Sequence, residues 1–153
     1  MADLDDVYNL RILELASDIP CSDRLASPDA TASARSKLCG STIAVDLNVA
    51  GERISAFGQD VKACLLGQAT AAIVGREIVG TTLGELHDVG AIMRAMLKDG
   101  GPPPAGRWSD LALLQPVKDY PHRHASTLLV FEAVEKALSE RAGSQATAAA
   151  ASR

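Results

Sequence analysis

The sequence predicts an α+β domain: a three-stranded antiparallel sheet in the N-terminal half, packed by the helices that follow it. Three observations carry that expectation. Ile43, Val45, Leu47 and Val49 alternate with Thr42, Ala44, Asp46 and Asn48, the period-two pattern of a strand with one buried and one wet face. Ala50-Gly51-Glu52 supplies a hairpin turn, after which Arg53 to Gly58 returns as a second strand and Val61 to Ala63 forms a short third. Beyond Cys64 the spacing is helical or loop-like, so strands and helices are segregated rather than alternating as in a parallel α/β sheet.

The remaining elements follow in chain order. Apolar residues at Val7, Tyr8, Ile12 and Leu15 predict a short amphipathic helix that Pro20 ends. From Ser22 to Lys37 the chain is mostly Ser, Ala, Asp and Thr with Pro28, which reads as an extended surface segment leading into Cys39-Gly40-Ser41. Leu65 to Val74 is rich in small residues and predicts a helix lying close on the sheet, with Gly75 and Gly80 around its end. Thr82 and Glu85 form a capping-box pattern ahead of a helix whose apolar face is Leu86, Val89, Met93, Met96 and Leu97. Asp99-Gly100-Gly101 and three prolines stop it. A short element at Ser109 to Leu114 and a loop from Gln115 to Arg123 precede a last helix, capped by Ser126 or Thr127 and buried through Leu128, Phe131, Val134 and Leu138. Residues 1–142 are expected to form a single domain, and the Ala/Ser-rich tail over 143–153 is expected to be disordered.

Composition narrows the function classes. A chain of 153 residues, 47% hydrophobic, buries a core without staples. Its 15 basic against 19 acidic residues leave a net charge of −4 and no basic face able to neutralise a phosphate backbone, so nucleic acid is not an expected partner. There is no run of 18 apolar residues and no basic, apolar leader at Met1-Ala2-Asp3-Leu4-Asp5-Asp6. No membrane association and a cytoplasmic location are therefore expected. Three cysteines, an odd number, cannot close a disulfide framework and point to metal or thiol chemistry.

Cys39 precedes the first predicted strand beside Gly40, and Cys64 stands where sheet gives way to helix. A helix N-terminus favours a thiolate through its dipole and free N–H groups, which singles out Cys64. Free cysteines are also common as small buried hydrophobes, so position alone does not decide. Both lie at strand termini and are expected to approach each other across the sheet end. Cys21, in a polar stretch with no such setting, is expected to be dispensable. His122 and His124 share a loop running into a helix start; two histidines at that spacing gain weight as ligands only if the fold brings them to the cysteines. No CxxC, HExxH, phosphate loop or nucleophile elbow is present.

The order Cys39-Gly40-Ser41, alternating strand, hairpin, Phe57-Gly58 and Cys64 at a small-residue helix start resembles the U-type iron–sulfur cluster assembly scaffolds, the IscU, NifU N-terminal and SufU family. Leu114-Gln115-Pro116-Val117-Lys118 resembles that family's Leu-Pro-Pro-Val-Lys chaperone-recognition segment with one Pro replaced by Gln. The insertion between Gly80 and Pro116, together with Tyr120-Pro121, Arg123, Ser126 and Glu135-Lys136, is similar to the SufU branch. The resemblance spans roughly residues 5 to 142 and implies three cysteines and an Asp holding zinc, iron or a nascent [2Fe-2S] cluster. Cys39 and Cys64 match the first two cysteines; Ser41 stands in the Asp position and Ser126 in the third cysteine's. A neutral hydroxyl is a poor ligand for such cations. The expected site is therefore a rebuilt one of Cys39, Cys64 and His124, completed by Asp60 or a water.

The function implied is a non-catalytic carrier: a scaffold or sulfur acceptor that takes persulfide sulfur from a cysteine desulfurase, binds iron, zinc or a [2Fe-2S] cluster, and serves apo iron–sulfur proteins, with an Hsp70-type chaperone as a further partner. The alternative is a protein-interaction or regulatory module that keeps the fold without cluster assembly, which the missing Asp and Cys favour. A zinc enzyme with an open coordination position is a third class, for which no paired general base is identifiable.

Overall fold

A computed structural model describes residues 9–37 and 40–151, with side chains up to Arg141. Helix α1 (Leu10–Ser17) begins where the Asn9 side chain accepts the Ile12 N–H, and it buries Ile12, Leu15 and Ala16. Strands β1 (Ala30–Arg35), β2 (Thr42–Ala50) and β3 (Arg53–Lys62) form an antiparallel sheet in the order β1-β2-β3. Helices α2 (Leu65–Glu77) and α3 (Leu83–Asp99) follow, then 3₁₀ turns over Gly106–Asp119 and Pro121–Arg123, the single turn α4 (His124–Thr127) and the long α5 (Leu129–Ala151).

The α+β class holds, but the strands are divided differently from the expectation. Arg53 to Lys62 is one continuous strand, not two: Gly58 lies inside it, paired with Asp46. Glycine there serves close approach rather than a turn, because a Cβ at 58 would collide with the Asp23 carbonyl. The third strand is Ala30–Arg35, within the stretch read as a surface segment. Its alternation is Ala30, Ala32 and Ala34 against Thr31, Ser33 and Arg35. Alanine gives little apolar contrast, and the strand is held by pairing with β2 and by packing under α5.

This division matters for the site. Because β2 and β3 form a simple hairpin, Thr42 pairs with Lys62, so the start of one and the end of the other share an edge of the sheet. Arg35 pairs with Thr42 in the same row. Residues 36–37, 40–41 and 63–64 therefore meet at one sheet end, closed by Ser36 N–H to Ser41 O and Gly40 N–H to Ser36 O, both 2.8 Å.

One sheet face, through Ala30, Ile43, Val45, Leu47 and Phe57, joins the core beneath the helices. The other face is only partly wet, contrary to the simple alternation. Asp46 is 1% exposed, because the chain between α1 and β1 straps across it. Arg24 donates to both Asp46 carboxylate oxygens at 2.6 and 2.9 Å, Leu25 N–H at 3.1 Å and the Thr31 hydroxyl at 2.7 Å. The outer edge of β3 is covered as well: Gln59 N–H bonds Cys21 O, and Ile54 N–H bonds Thr81 O.

Helix α3 has the expected cap, Thr82 Oγ1 accepting the Glu85 N–H at 3.1 Å, and ends on Gly100 at φ 71°. Where a short element and a loop are expected, 3₁₀ turns run from Gly106 to Asp119 and bury Trp108, Leu111, Leu114 and Val117. The final helix is described from Leu129 to Ala151. Among the described residues, no helix is long and apolar enough to cross a membrane.

Candidate functional site at the sheet end

Cys64 is the residue before α2, with extended backbone (φ −65°, ψ 170°). Its N–H donates to Ser41 Oγ at 3.1 Å, which ties the end of β3 to the residue before β2. Its Sγ lies 3.4 Å from Ser126 Oγ and donates to it. Ser126 Oγ in turn donates to Arg123 O at 3.2 Å. Three sequence-predicted residues, Ser41, Cys64 and Ser126, thus converge. Ser126 and Ser41 are buried and Cys64 is half-buried. Cys39 lies outside the described residues; its neighbours Lys37, Gly40 and Ser41 belong to the same hairpin end.

A residue not singled out from sequence makes this convergence possible. A Cβ on Gly67 would stand 2.9 Å from Ala63 Cβ and 3.0 Å from Ser126 O, so only glycine lets α4 approach α2 this closely. Glycine to alanine inside a helix ordinarily stabilises by about 1 kcal/mol, yet here neither neighbour is a flexible tip that can move aside. Gly67→Ala is expected to destabilise the fold by about 1–3 kcal/mol through overpacking and to push Ser126 off Cys64. Thermal melts and a crystal structure of the variant check this.

The remaining predicted ligands are placed elsewhere. The His124 ring Nε2 lies 3.0 Å from Val117 O and 3.2 Å from Lys118 O, two acceptors, so this nitrogen donates a proton to them. Two residues apart on a helical turn are about 200° apart around the axis. With Ser126 facing Cys64, His124 faces the 3₁₀ turns instead. Its observed role is to tie the Leu114–Lys118 segment to α4. That segment is itself half core, with Leu114 and Val117 fully buried. Asp60 is exposed on the sheet face opposite the core, paired with Ala44. His122 packs edge-on to Tyr120 at 6.3 Å. Among the described residues, no group of three or more His, Cys, Asp and Glu side chains is poised to hold a metal ion. One thiol and two hydroxyls are an incomplete donor set for zinc or iron.

Cys21 sits apart from all this. Its Sγ donates to Gly75 O at 3.6 Å, and Gly75 is eleven residues along α2 from Cys64, about 16 Å at the helical rise. Burial pushes its thiol pKa up, the opposite of what a reactive thiol needs. Cys21→Ser, which keeps a small donor for Gly75 O, is expected to leave sulfur loading unchanged in a labelling assay. Its loss would place the N-terminal strap in the site.

Neither a protein-family model nor a curated protein sequence matches the chain. Solved structures do. The crystal structure of a nitrogen-fixing NifU-like protein (N-terminal) from Brucella abortus matches with a TM-score of 0.90 and 44% identity, covering 92% of this chain and 97% of that one. A protein described as an iron–sulfur cluster assembly scaffold for the SUF system, from Fervidobacterium islandicum AW-1, matches at TM-score 0.81 and 18% identity over 89% of this chain and 99% of that one. A hypothetical protein matches at TM-score 0.78 and 18% identity, over 89% and 99%. The last two share the fold; the first also shares sequence along nearly its whole length. Given that identity and the meeting of Ser41, Cys64 and Ser126 at the sheet end, this chain belongs to the U-type, NifU-like family of iron–sulfur cluster assembly scaffolds.

Proposed function

We propose that this protein is a sulfur-accepting carrier in iron–sulfur cluster assembly, with Cys64 as the principal acceptor and Cys39 as its partner thiol. The observation that carries the reading is the Cys64 environment: a half-buried thiol at a helix start, its backbone anchored by Ser41 and its sulfur resting on Ser126. The reaction needs no resident metal. The Cys64 thiolate attacks the terminal sulfur of a donor persulfide, such as that of a cysteine desulfurase. The donor S–S bond breaks, an S–S bond forms on Cys64, and the donor leaves as a thiolate that takes up the proton Cys64 gave up. Sulfur is transferred without a net oxidant.

Iron, zinc or a [2Fe-2S] cluster would be cargo of such a carrier. Ser41 and Ser126 provide hydroxyls where the family resemblance implies carboxylate and thiolate, which favours weak or transient retention. The same serines also favour a second reading, a scaffold fold kept as an interaction module. Hand-over to apo iron–sulfur proteins, engagement of an Hsp70-type chaperone through Leu114–Lys118 and a cytoplasmic location belong to the carrier reading. Persulfide mapping by mass spectrometry after incubation with desulfurase and cysteine, with metal and acid-labile sulfide assayed on anaerobically purified protein, separates the two. Sulfane sulfur on Cys64 supports the carrier; neither sulfur nor metal on any thiol leaves the interaction module.

A further inference from the structure

The sheet face opposite the core is divided. Its far half lies under the strap around Asp46, whereas the two rows nearest the site are open: Ser33, Ala44 and Asp60, then Arg35, Thr42 and Lys62. Directly paired residues of antiparallel strands project from the same face, so Arg35 and Lys62 flank the smaller Thr42 about 10 Å apart at the inter-strand spacing. Both are exposed, and so is Lys37 in the adjoining hairpin. None of the three has an ion-pair partner among the described residues. The acid sharing this face, Asp60, also interacts electrostatically with Arg24 of the strap. In a chain of net charge −4, an unpaired cationic row stands at the one end of the sheet where Lys62 leads, two residues later, to Cys64.

We propose that this row is a docking surface for the sulfur donor, which meets it with a carboxylate-bearing face beside its persulfide. The assignment rests on the carrier reading and names its partner's chemistry. Small residues between the two cations let another surface come close to the sheet, and the cations steer an acidic one toward the thiol. Charges at an interface rim act mainly on association rate and salt dependence, and their reach is about 10 Å at 0.1 M salt. They are therefore effective for a partner docking at this sheet end and ineffective for one docking at the far end of α3.

The test measures binding of the purified full-length protein to a cysteine desulfurase from the same organism, over a salt series, for the parent, the double reversal R35E/K62E and the control reversal K98E at the end of α3. The expected result is roughly tenfold weaker binding of R35E/K62E at low salt with a flattened salt dependence, K98E matching the parent. Loading of R35E/K62E from inorganic polysulfide should equal the parent's, since the thiol is untouched. Parent-like binding by the double reversal, an equal loss in K98E, or no desulfurase binding by the parent overturns the docking surface. So does sedimentation showing that the row instead drives salt-sensitive self-association. Binding through the row with no persulfide on Cys64 retains the surface and overturns the carrier reading.

Discussion

Cys64→Ser is expected to abolish loading of sulfane sulfur, lowering it to the level of a thiol-blocked control, while Cys39→Ser is expected to retain measurable loading. The expected loss at Cys64 follows from its local structure. A serine at 64 keeps the backbone bond to Ser41 and a donor for Ser126 Oγ, so the fold and the sheet end survive and the loss reports chemistry alone. Hydroxyls do not attack persulfide sulfur at neutral pH as thiolates do. The reciprocal change is equally informative. Ser126→Cys puts a second sulfur against the Cys64 sulfur, where the hydroxyl now sits at 3.4 Å, and is expected to raise the metal retained per chain after anaerobic purification, because thiolate is a far better zinc or iron ligand than a hydroxyl. Loading that persists undiminished in Cys64→Ser, as measured by mass spectrometry, would assign the acceptor role to another thiol.

What could be seen in the sequence depended on side-chain size more than on function. The β2 alternation was legible because Ile43, Val45, Leu47 and Val49 are large; β1 uses Ala30, Ala32 and Ala34 for the same purpose and shows no contrast until α5 packs over it. Gly58 carried the wrong message for a physical reason: a glycine in a strand marks either a turn or a close approach, and only the path of the strap decides between them. At the site, Cys64 was singled out by its position at a helix start and Ser126 by the family resemblance. Gly67 was hidden among other small residues of α2, although its neighbour across the interface is the backbone of Ser126 itself. For His124, residue type suggests a ligand while helical phase sets direction: two positions from Ser126, its ring turns toward Val117 and Lys118. Asp46 was placed on a wet face by alternation. A carboxylate in the middle of a strand is unfavourable there without partners, and Arg24 in the polar stretch upstream is that partner.

Removing the Asp46 carboxylate is expected to be the most destabilising single change on the far side of the sheet, and its size should depend on pH in a defined direction. The buried carboxylate accepts from the Arg24 guanidinium twice, from Leu25 N–H and from the Thr31 hydroxyl. The Arg24 hydrogen bonds come first among the causes that hold its pKa below the usual carboxylate value, ahead of the opposing cost of burial. A carboxyl with a depressed folded-state pKa contributes stability that is fully present above its unfolded value of about 3.9 and is lost as pH falls through the lower folded value. Asp46→Asn keeps the side chain's shape and removes the charge. It should cost about 2–3 kcal/mol at pH 7, less than the roughly 3–5 kcal/mol for breaking a fully buried pair, since Arg24 is half exposed and can rehydrate once released. Denaturant titrations at pH 7, 5, 4 and 3 should show the gap between parent and variant constant down to about pH 5 and then closing, because protonation takes from the parent what the substitution has already taken from the variant. Arg24→Ala should reproduce part of the loss and shift the closing of the gap to higher pH, as the carboxylate loses the group that chiefly keeps it ionised. A gap that stays constant through pH 3 would mean that the strap is held by packing, with the Asp46 charge contributing nothing.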